Sequence, residues 1–315
     1  MKCSICPSQT RERSRYCALC ADHVMSVPEG RARVAALKRA RRPDGFHCEY
    51  SGALLSLTDT SDPFYLHFDH RTPGVRNDLA ATGAIINQSK TNLTWQEYPA
   101  VVHASVLHWD SGTPFPKDVV PFAAWLAGKR TVRATNALLV EQAMAPQLMT
   151  AAYRLPVLGR KVGEGADLQL SFRLPKGSER MCRLCEKYAV PARYKYCPRC
   201  EPLVERRNGE TREAKFDALR DSFVWDRDVF LCHHLGVELD LFDYQSPYYG
   251  WFDHLTPGKK GELVFSSRLA NENKTDLDEQ EYHAFFHELD KAFRGGTFDK
   301  GAFTTKYWKR PKYEQ

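Results

Sequence analysis

The sequence predicts an α+β protein of two repeated halves, each a four-cysteine zinc knuckle module followed by a ββα unit and flanking helices. Three observations predict it. The ten cysteines fall into two matched sets of five: Cys3, Cys6, Cys17, Cys20 and Cys48, then Cys182, Cys185, Cys197, Cys200 and Cys232. From the fifth cysteine onward the copies align without a gap, at the offset of 184 residues that carries Cys48 to Cys232. Within that stretch, Phe68-Asp69-His70-Arg71-Thr72-Pro73-Gly74 matches Phe252-Asp253-His254-Leu255-Thr256-Pro257-Gly258, and Asn87-Gln88-Ser89-Lys90 matches Asn271-Glu272-Asn273-Lys274. A repeat of this kind divides 315 residues into units long enough to bury a core each.

The division runs as follows: residues 1–45 form a knuckle and a basic helix, and 46–114 the first ββα unit with its closing helix. Residues 115–175 form a helical connector and linker, 176–229 the second knuckle and helix, and 230–315 the second ββα unit. The knuckles rest on spacing. Cys3-x-x-Cys6 with Cys17-x-x-Cys20, and Cys182-x-x-Cys185 with Cys197-x-x-Cys200, each offer two thiolate pairs from tight turns, enough to complete a tetrahedron around Zn2+. Disulfide or redox use is the alternative. Four thiolates leave no open position on the ion, so zinc there is structural. Cys48 and Cys232 lack such partners and are expected in the core as small apolar residues.

The start of the chain, Met1-Lys2-Cys3-Ser4-Ile5-Cys6, has no apolar leader, and no run reaches the length of a membrane span; the expected setting is cytoplasmic, with reduced thiols. The net charge of +6 decides little, but its distribution is uneven. Arg11, Arg13, Arg15, Arg31, Arg33, Lys38, Arg39, Arg41 and Arg42 crowd the first copy, which suits a polyanion or equally a solvated basic face. Residues 31–42 read as a helix with Val34 and Leu37 on its apolar side, and Glu205 to Phe223 as its mixed-charge counterpart.

Phe64-Tyr65-Leu66 and Tyr248-Tyr249 lead as strands into Asp69-His70 and Asp253-His254, and Thr-Pro-Gly follows as a turn. Second strands are expected near Leu79 and near Leu263-Val264-Phe265. A short helix then carries Asn87 and Lys90 three apart on one face, as Asn271 and Lys274. Thr94 to Glu97 and Asp278 to Glu281 read as capping boxes that open amphipathic helices from Glu97 to about Leu107 and from Glu281 to about Phe293. His103 and His287 correspond on those helices and are expected to pack or face solvent. His67 corresponds to Trp251, so it is not expected to belong to a shared site.

Taken singly, an Asp-His pair is more often a structural hydrogen bond, and a helix Asn more often a cap or surface residue. Together, in order and twice, they suit phosphodiester hydrolysis. Histidine titrates near neutrality and can activate water. A hard cation held by a carboxylate and an amide oxygen can carry charge, and Lys90 and Lys274 could meet a neighbouring phosphate.

Over residues 46–98 and 230–282 the constellation resembles the HNH, or His-Me finger, endonucleases, in a form similar to the Holliday-junction-resolving enzymes of phages. The resemblance implies that His70 and His254 are general bases and that Asp69, Asn87, Asp253 and Asn271 hold Mg2+ (or Mn2+). It implies DNA, double-stranded or branched, as the partner, with no membrane, and two sites in one pseudo-dimeric chain that cut one strand each. The alternative from another class is a zinc-containing nucleic-acid-binding protein whose ββα units are a non-catalytic or half-active scaffold.

Overall fold

A computed structural model of the chain describes residues 2–10, 14–25, 27–120, 125, 179–191, 194–206, 208–303, 305–306 and 308. In the first half, α1 (Ala18–Val24) and α2 (Gly30–Ala40) lead to a small hairpin of β1 (Arg41–Arg42) and β2 (Gly45–Phe46). Then come β3 (Leu66–His70), β4 (Leu79–Gly83), α3 (Ala84–Lys90) and α4 (Glu97–Ser111). The second half opens with the hairpin β5 (Glu179–Met181) and β6 (Ala189–Pro191). It continues through α5 (Glu201–Val204), α6 (Arg212–Ser222) and the hairpin β7 (Phe223–Val224) and β8 (Val229–Phe230). It ends with β9 (Gly250–His254), β10 (Leu263–Ser267), α7 (Arg268–Lys274) and α8 (Glu279–Phe293).

The strand, turn, strand, helix order expected around Asp69 and Asp253 is present in both halves and in the same register. β3 and β4 are antiparallel, with Leu66 opposite Gly83 and His70 opposite Leu79. β9 and β10 pair Gly250 with Ser267 and His254 with Leu263. Every one of these positions keeps the 184-residue offset. All five residues of β4 and of β10 are buried. A strand buried throughout is covered on both faces, here by α2 and α3 in one half and by α6 and α7 in the other. Ala32, Ala36 and Ala40 line the buried side of α2 and let its backbone approach the sheet closely.

Each short helix ends abruptly on a threonine at positive φ, Thr91 at 54° and Thr275 at 57°. A β-branched residue there costs on the order of 1–3 kcal/mol. The conformation turns the chain at once, so that Leu93 and Leu277, two residues on, are fully buried. Their amides close the turn on the carbonyls of Lys90 and Lys274.

The two halves pack on each other about an approximate twofold axis. α4 lies along α8, and α3 meets α7. Tyr98 stacks edge-on against Phe286 and Phe293, and Trp109 against Tyr282. Near the axis, Asn273 donates to the carbonyl of Ser89, its counterpart in the other copy. His103 pairs with Asp290 at 2.9 Å and His287 with Asp110 at 3.5 Å, so both helix histidines bridge the halves. The segment after each closing helix crosses to the opposite half. Lys117 lies over the ring of Tyr248, and Lys300 lies over Phe64, the residue equivalent to Tyr248.

Some expectations change. Glu205 to Phe223 is not one helix: the chain turns through Gly209 at φ 80°, and α6 starts at Arg212 behind a Thr211 cap. The closing helix of the first half runs past Leu107 to Ser111. Both expected capping boxes form. Thr94 and Glu97 exchange backbone and side-chain bonds, as do Asp278 and Glu281. Arg11 and Arg13, nearly all of the 115–155 connector, the 162–178 linker and the boundary near 175 lie outside the described residues. Among the described residues no helix is long and apolar enough to cross a membrane.

Phe286 is fully buried where the halves meet. Phe286→Ala is expected to lower the unfolding free energy by about 3–5 kcal/mol in urea titrations. A loss below about 1 kcal/mol would contradict a shared core at this point.

Candidate functional site

The knuckle cysteines converge as their spacing predicts. In each set of four the sulfur atoms lie within 4.8 Å of one another. Cys6 and Cys17 are 3.4 Å apart at sulfur, and Cys185 and Cys197 are 3.8 Å apart. A tetrahedral ion with Zn–S bonds near 2.3 Å needs sulfur separations of roughly 3.8 Å. No cysteine among the ten is in a disulfide. Burial pushes the Cys17 and Cys20 thiols above their ordinary range, so thiolates crowded there need a cation beside them. The two clusters can each hold a zinc ion. Cys48 and Cys232 stand apart, buried in the core against the hydroxyls of Thr82 and Ser266.

Asp69 and His70 are neighbours on one strand, so their side chains leave opposite faces of the sheet. Asp69 faces α3. Its Oδ2 accepts from the Tyr50 hydroxyl at 2.7 Å and pairs with Lys90 Nζ at 3.0 Å. Lys90 is 0% exposed and also donates to the His70 carbonyl at 3.0 Å. The second half repeats this: Lys274 lies 3.4 Å from Asp253 Oδ2 and donates to the His254 carbonyl at 2.7 Å. His234, equivalent to Tyr50, contacts Asp253 Oδ2 through Nε2 at 3.1 Å. Burial pushes the Asp69 carboxyl above the ordinary carboxylate range, and Lys90 and Tyr50 oppose that shift.

These contacts correct two expectations. Lys90 and Lys274 do not meet phosphate: each is buried against an Asp and a backbone carbonyl. Asp69 and Asn87 do not come together as a Mg2+ site: Lys90 pairs with the Asp69 carboxylate, as Lys274 does with Asp253, and the Asn87 amide lies against His67 Nδ1 at 3.4 Å. His67 shares the Asp69 face of the strand, so Asn87 meets the residue set aside in the sequence. The donor set does not fit a hard cation, and no step is derived through one.

His70 and His254 sit on the other face, 42% and 34% exposed. Each has a glutamate partner that sequence comparison did not reveal. His70 Nε2 lies 3.2 Å from Glu29, at the start of α2, and His254 Nε2 lies 3.0 Å from Glu210, just ahead of α6. The second oxygen of each carboxylate takes a backbone N–H from the turn between the strands, Asn77 or Gly261. Those two turn residues are equivalent and both have positive φ. Each glutamate lies just ahead of the helix that packs on its sheet, so both copies build the same clamp. The 184-residue offset does not extend to them, because upstream of the fifth cysteine Cys17 and Cys197 lie 180 residues apart. Hydrogen bonds from His254 and the Gly261 amide hold the Glu210 carboxyl below its ordinary range. Arg76 and Lys260 are equivalent and exposed, each beside the clamped turn amide.

A third group of metal-ligating type, among the described residues, occurs only in the second half, at His233, His234 and Glu279. Its signal was present in the sequence as a His-His pair after the fifth cysteine, where the first copy has Glu49-Tyr50. No family model, curated protein or solved structure matches the chain.

Removing one partner of a buried ion pair strands the other charge. Lys90→Met is expected to cost about 3–5 kcal/mol in chemical denaturation. The double variant Asp69→Leu/Lys90→Met should recover most of that loss, and simple additivity would count against the pair. For the knuckles, Cys17→Ser/Cys20→Ser should release one equivalent of zinc per chain by elemental analysis. Cys197→Ser/Cys200→Ser should release another.

Proposed function

We propose that the chain is a DNA endonuclease of the ββα type that hydrolyses phosphodiester bonds at two sites, with His70 and His254 as general bases. One observation carries this: in both halves a half-exposed histidine at the end of the first ββα strand is clamped by a glutamate that also holds the turn amide between the strands. A glutamate accepting from Nε2–H leaves the lone pair of a neutral imidazole on Nδ1. That nitrogen can take the proton of an attacking water. The carboxylate also steadies the imidazolium formed by that transfer, and its grip on the turn amide fixes the ring. Arg76 and Lys260, exposed beside the clamped turn amides, are the cations this reading assigns to the phosphate.

The buried Asp–Lys pairs favour a second reading, a zinc-stabilised DNA-binding scaffold without catalysis. They give Asp and Lys a packing role in both copies that needs no chemistry.

Supercoiled plasmid and four-way junctions, with Mg2+ or EDTA, separate the two. The nuclease reading expects nicks from His70→Ala and from His254→Ala. It expects a fall of at least about 100-fold in the double variant, the usual scale for loss of a general base. Salt-sensitive band shifts with no cleavage of either substrate, with or without metal, would leave only the scaffold.

A further inference from the structure

The second half carries a cluster for which the first has no counterpart. His233 Nε2 lies 2.6 Å from Glu279 Oε1, and His234 Nδ1 lies 3.8 Å from the same oxygen. The His234 side chain is fully buried, and its Nδ1 has no hydrogen-bond partner. The opposite ring nitrogen explains which electrons face the carboxylate. Nε2 contacts Asp253, which is itself paired with Lys274, so Nε2 must donate. In a neutral ring the Nδ1 lone pair then points toward a carboxylate oxygen. Two acceptors facing each other, one of them fully buried, are unfavourable unless a cation lies between them.

Comparison of the copies sharpens this. At the 184-residue offset, His233, His234 and Glu279 stand where the first half has Glu49, Tyr50 and Trp95. Tyr50 already holds Asp69 through its hydroxyl. Histidine does that job with Nε2 and adds a second nitrogen, which tyrosine lacks. The added nitrogen comes with a second imidazole and a carboxylate within reach. In the first half Glu49 is spent on Arg39, Arg71 and the Ala81 amide.

We propose that His233 Nε2, His234 Nδ1 and a Glu279 carboxylate oxygen bind one borderline divalent transition-metal ion, such as Zn2+. The ligand atoms lie within 4.8 Å of one another. Zinc bonds of roughly 2.0–2.1 Å to nitrogen and oxygen need separations a little over 3 Å, so the 2.6 Å His233–Glu279 contact must open and the 3.8 Å His234–Glu279 contact must close. The metal takes the Nε2 lone pair as His233 changes tautomer and carries its proton on Nδ1, so the ring stays neutral. Asp253 behind His234 fixes the tautomer and ring orientation, as carboxylates behind metal-bound imidazoles do. His233 and Glu279 are 39% and 36% exposed at the side chain, so the ion meets solvent and keeps a position for water. Imidazole and carboxylate donors without sulfur separate this site chemically from the two four-cysteine clusters. The proposal does not rest on the nuclease reading.

The test uses the full chain with its four-cysteine clusters loaded with zinc, titrated with Co2+. The expected result is one further equivalent bound, with visible d–d absorption and no thiolate-to-cobalt charge-transfer band. His233→Ala and Glu279→Gln, both at partly exposed positions, should each weaken Co2+ binding by at least about tenfold. Their circular dichroism should match that of the unmodified chain. No uptake by the unmodified chain, or unchanged uptake in both variants, would overturn the site. So would a thiolate charge-transfer band on the extra equivalent.

Discussion

The buried lysine of each ββα unit is the contact on which the rest of the unit depends. Lys90 reaches from the end of α3 to the Asp69 carboxylate and to the His70 carbonyl. One ammonium thereby fixes the helix to the strand and to the residue that carries the exposed histidine. Lys274 does the same for Asp253 and His254. Taking a lysine out of water is costly, and the pair is tolerable only because each donor and acceptor meets a partner. The threonines at positive φ, Thr91 and Thr275, follow directly. A helix that must end with its lysine pointing inward has to turn the chain within one residue. The strain at that turn is offset by burial of Leu93 and Leu277.

Strand alternation then separates two kinds of work. On the inward face, Asp and Lys hold the unit together. On the outward face, His70 and His254 are held by Glu29 and Glu210 and remain open to solvent. The inward residues are equivalent in the two copies. The outward glutamates each lie just ahead of the helix packed on the sheet, α2 or α6, in lead-ins of different sequence. A carboxylate clamp kept in both copies supports a role for the imidazole beyond packing.

Duplication also allowed the halves to diverge where they touch. Tyr98 bonds Ser89, whereas the buried hydroxyl of the equivalent Tyr282 has no hydrogen-bond partner and the Asn273 amide reaches across to the Ser89 carbonyl. Gly236 has room for no side chain because His108 of the other half lies against it, while the equivalent Gly52 has open space. Where the first half has Glu49-Tyr50 the second has His233-His234, and Trp109 of the first half donates its indole N–H to the His234 carbonyl. The approximate symmetry is thus a frame on which one half acquired a different set of side chains.

The sequence by itself determined the repeat, both four-cysteine clusters, the order of strands and short helices, and both capping boxes. These are set by local spacing: CxxC turns, Thr-Pro-Gly, and the reciprocal bonds of residues three apart. Sequence also placed Asp69, His70, Asn87 and Lys90 close together in the chain. Only the tertiary structure decided what they touch. The pleat sent Asp69 and His70 to opposite faces, and packing of the helix on the strand delivered Lys90 to the carboxylate and Asn87 to His67. Glu29 lies 41 residues before His70 and Glu210 lies 44 before His254, upstream of the stretch where the copies align without a gap. No local pattern could join them to the histidines, because their meeting is fixed by where α2 and α6 cross the sheet.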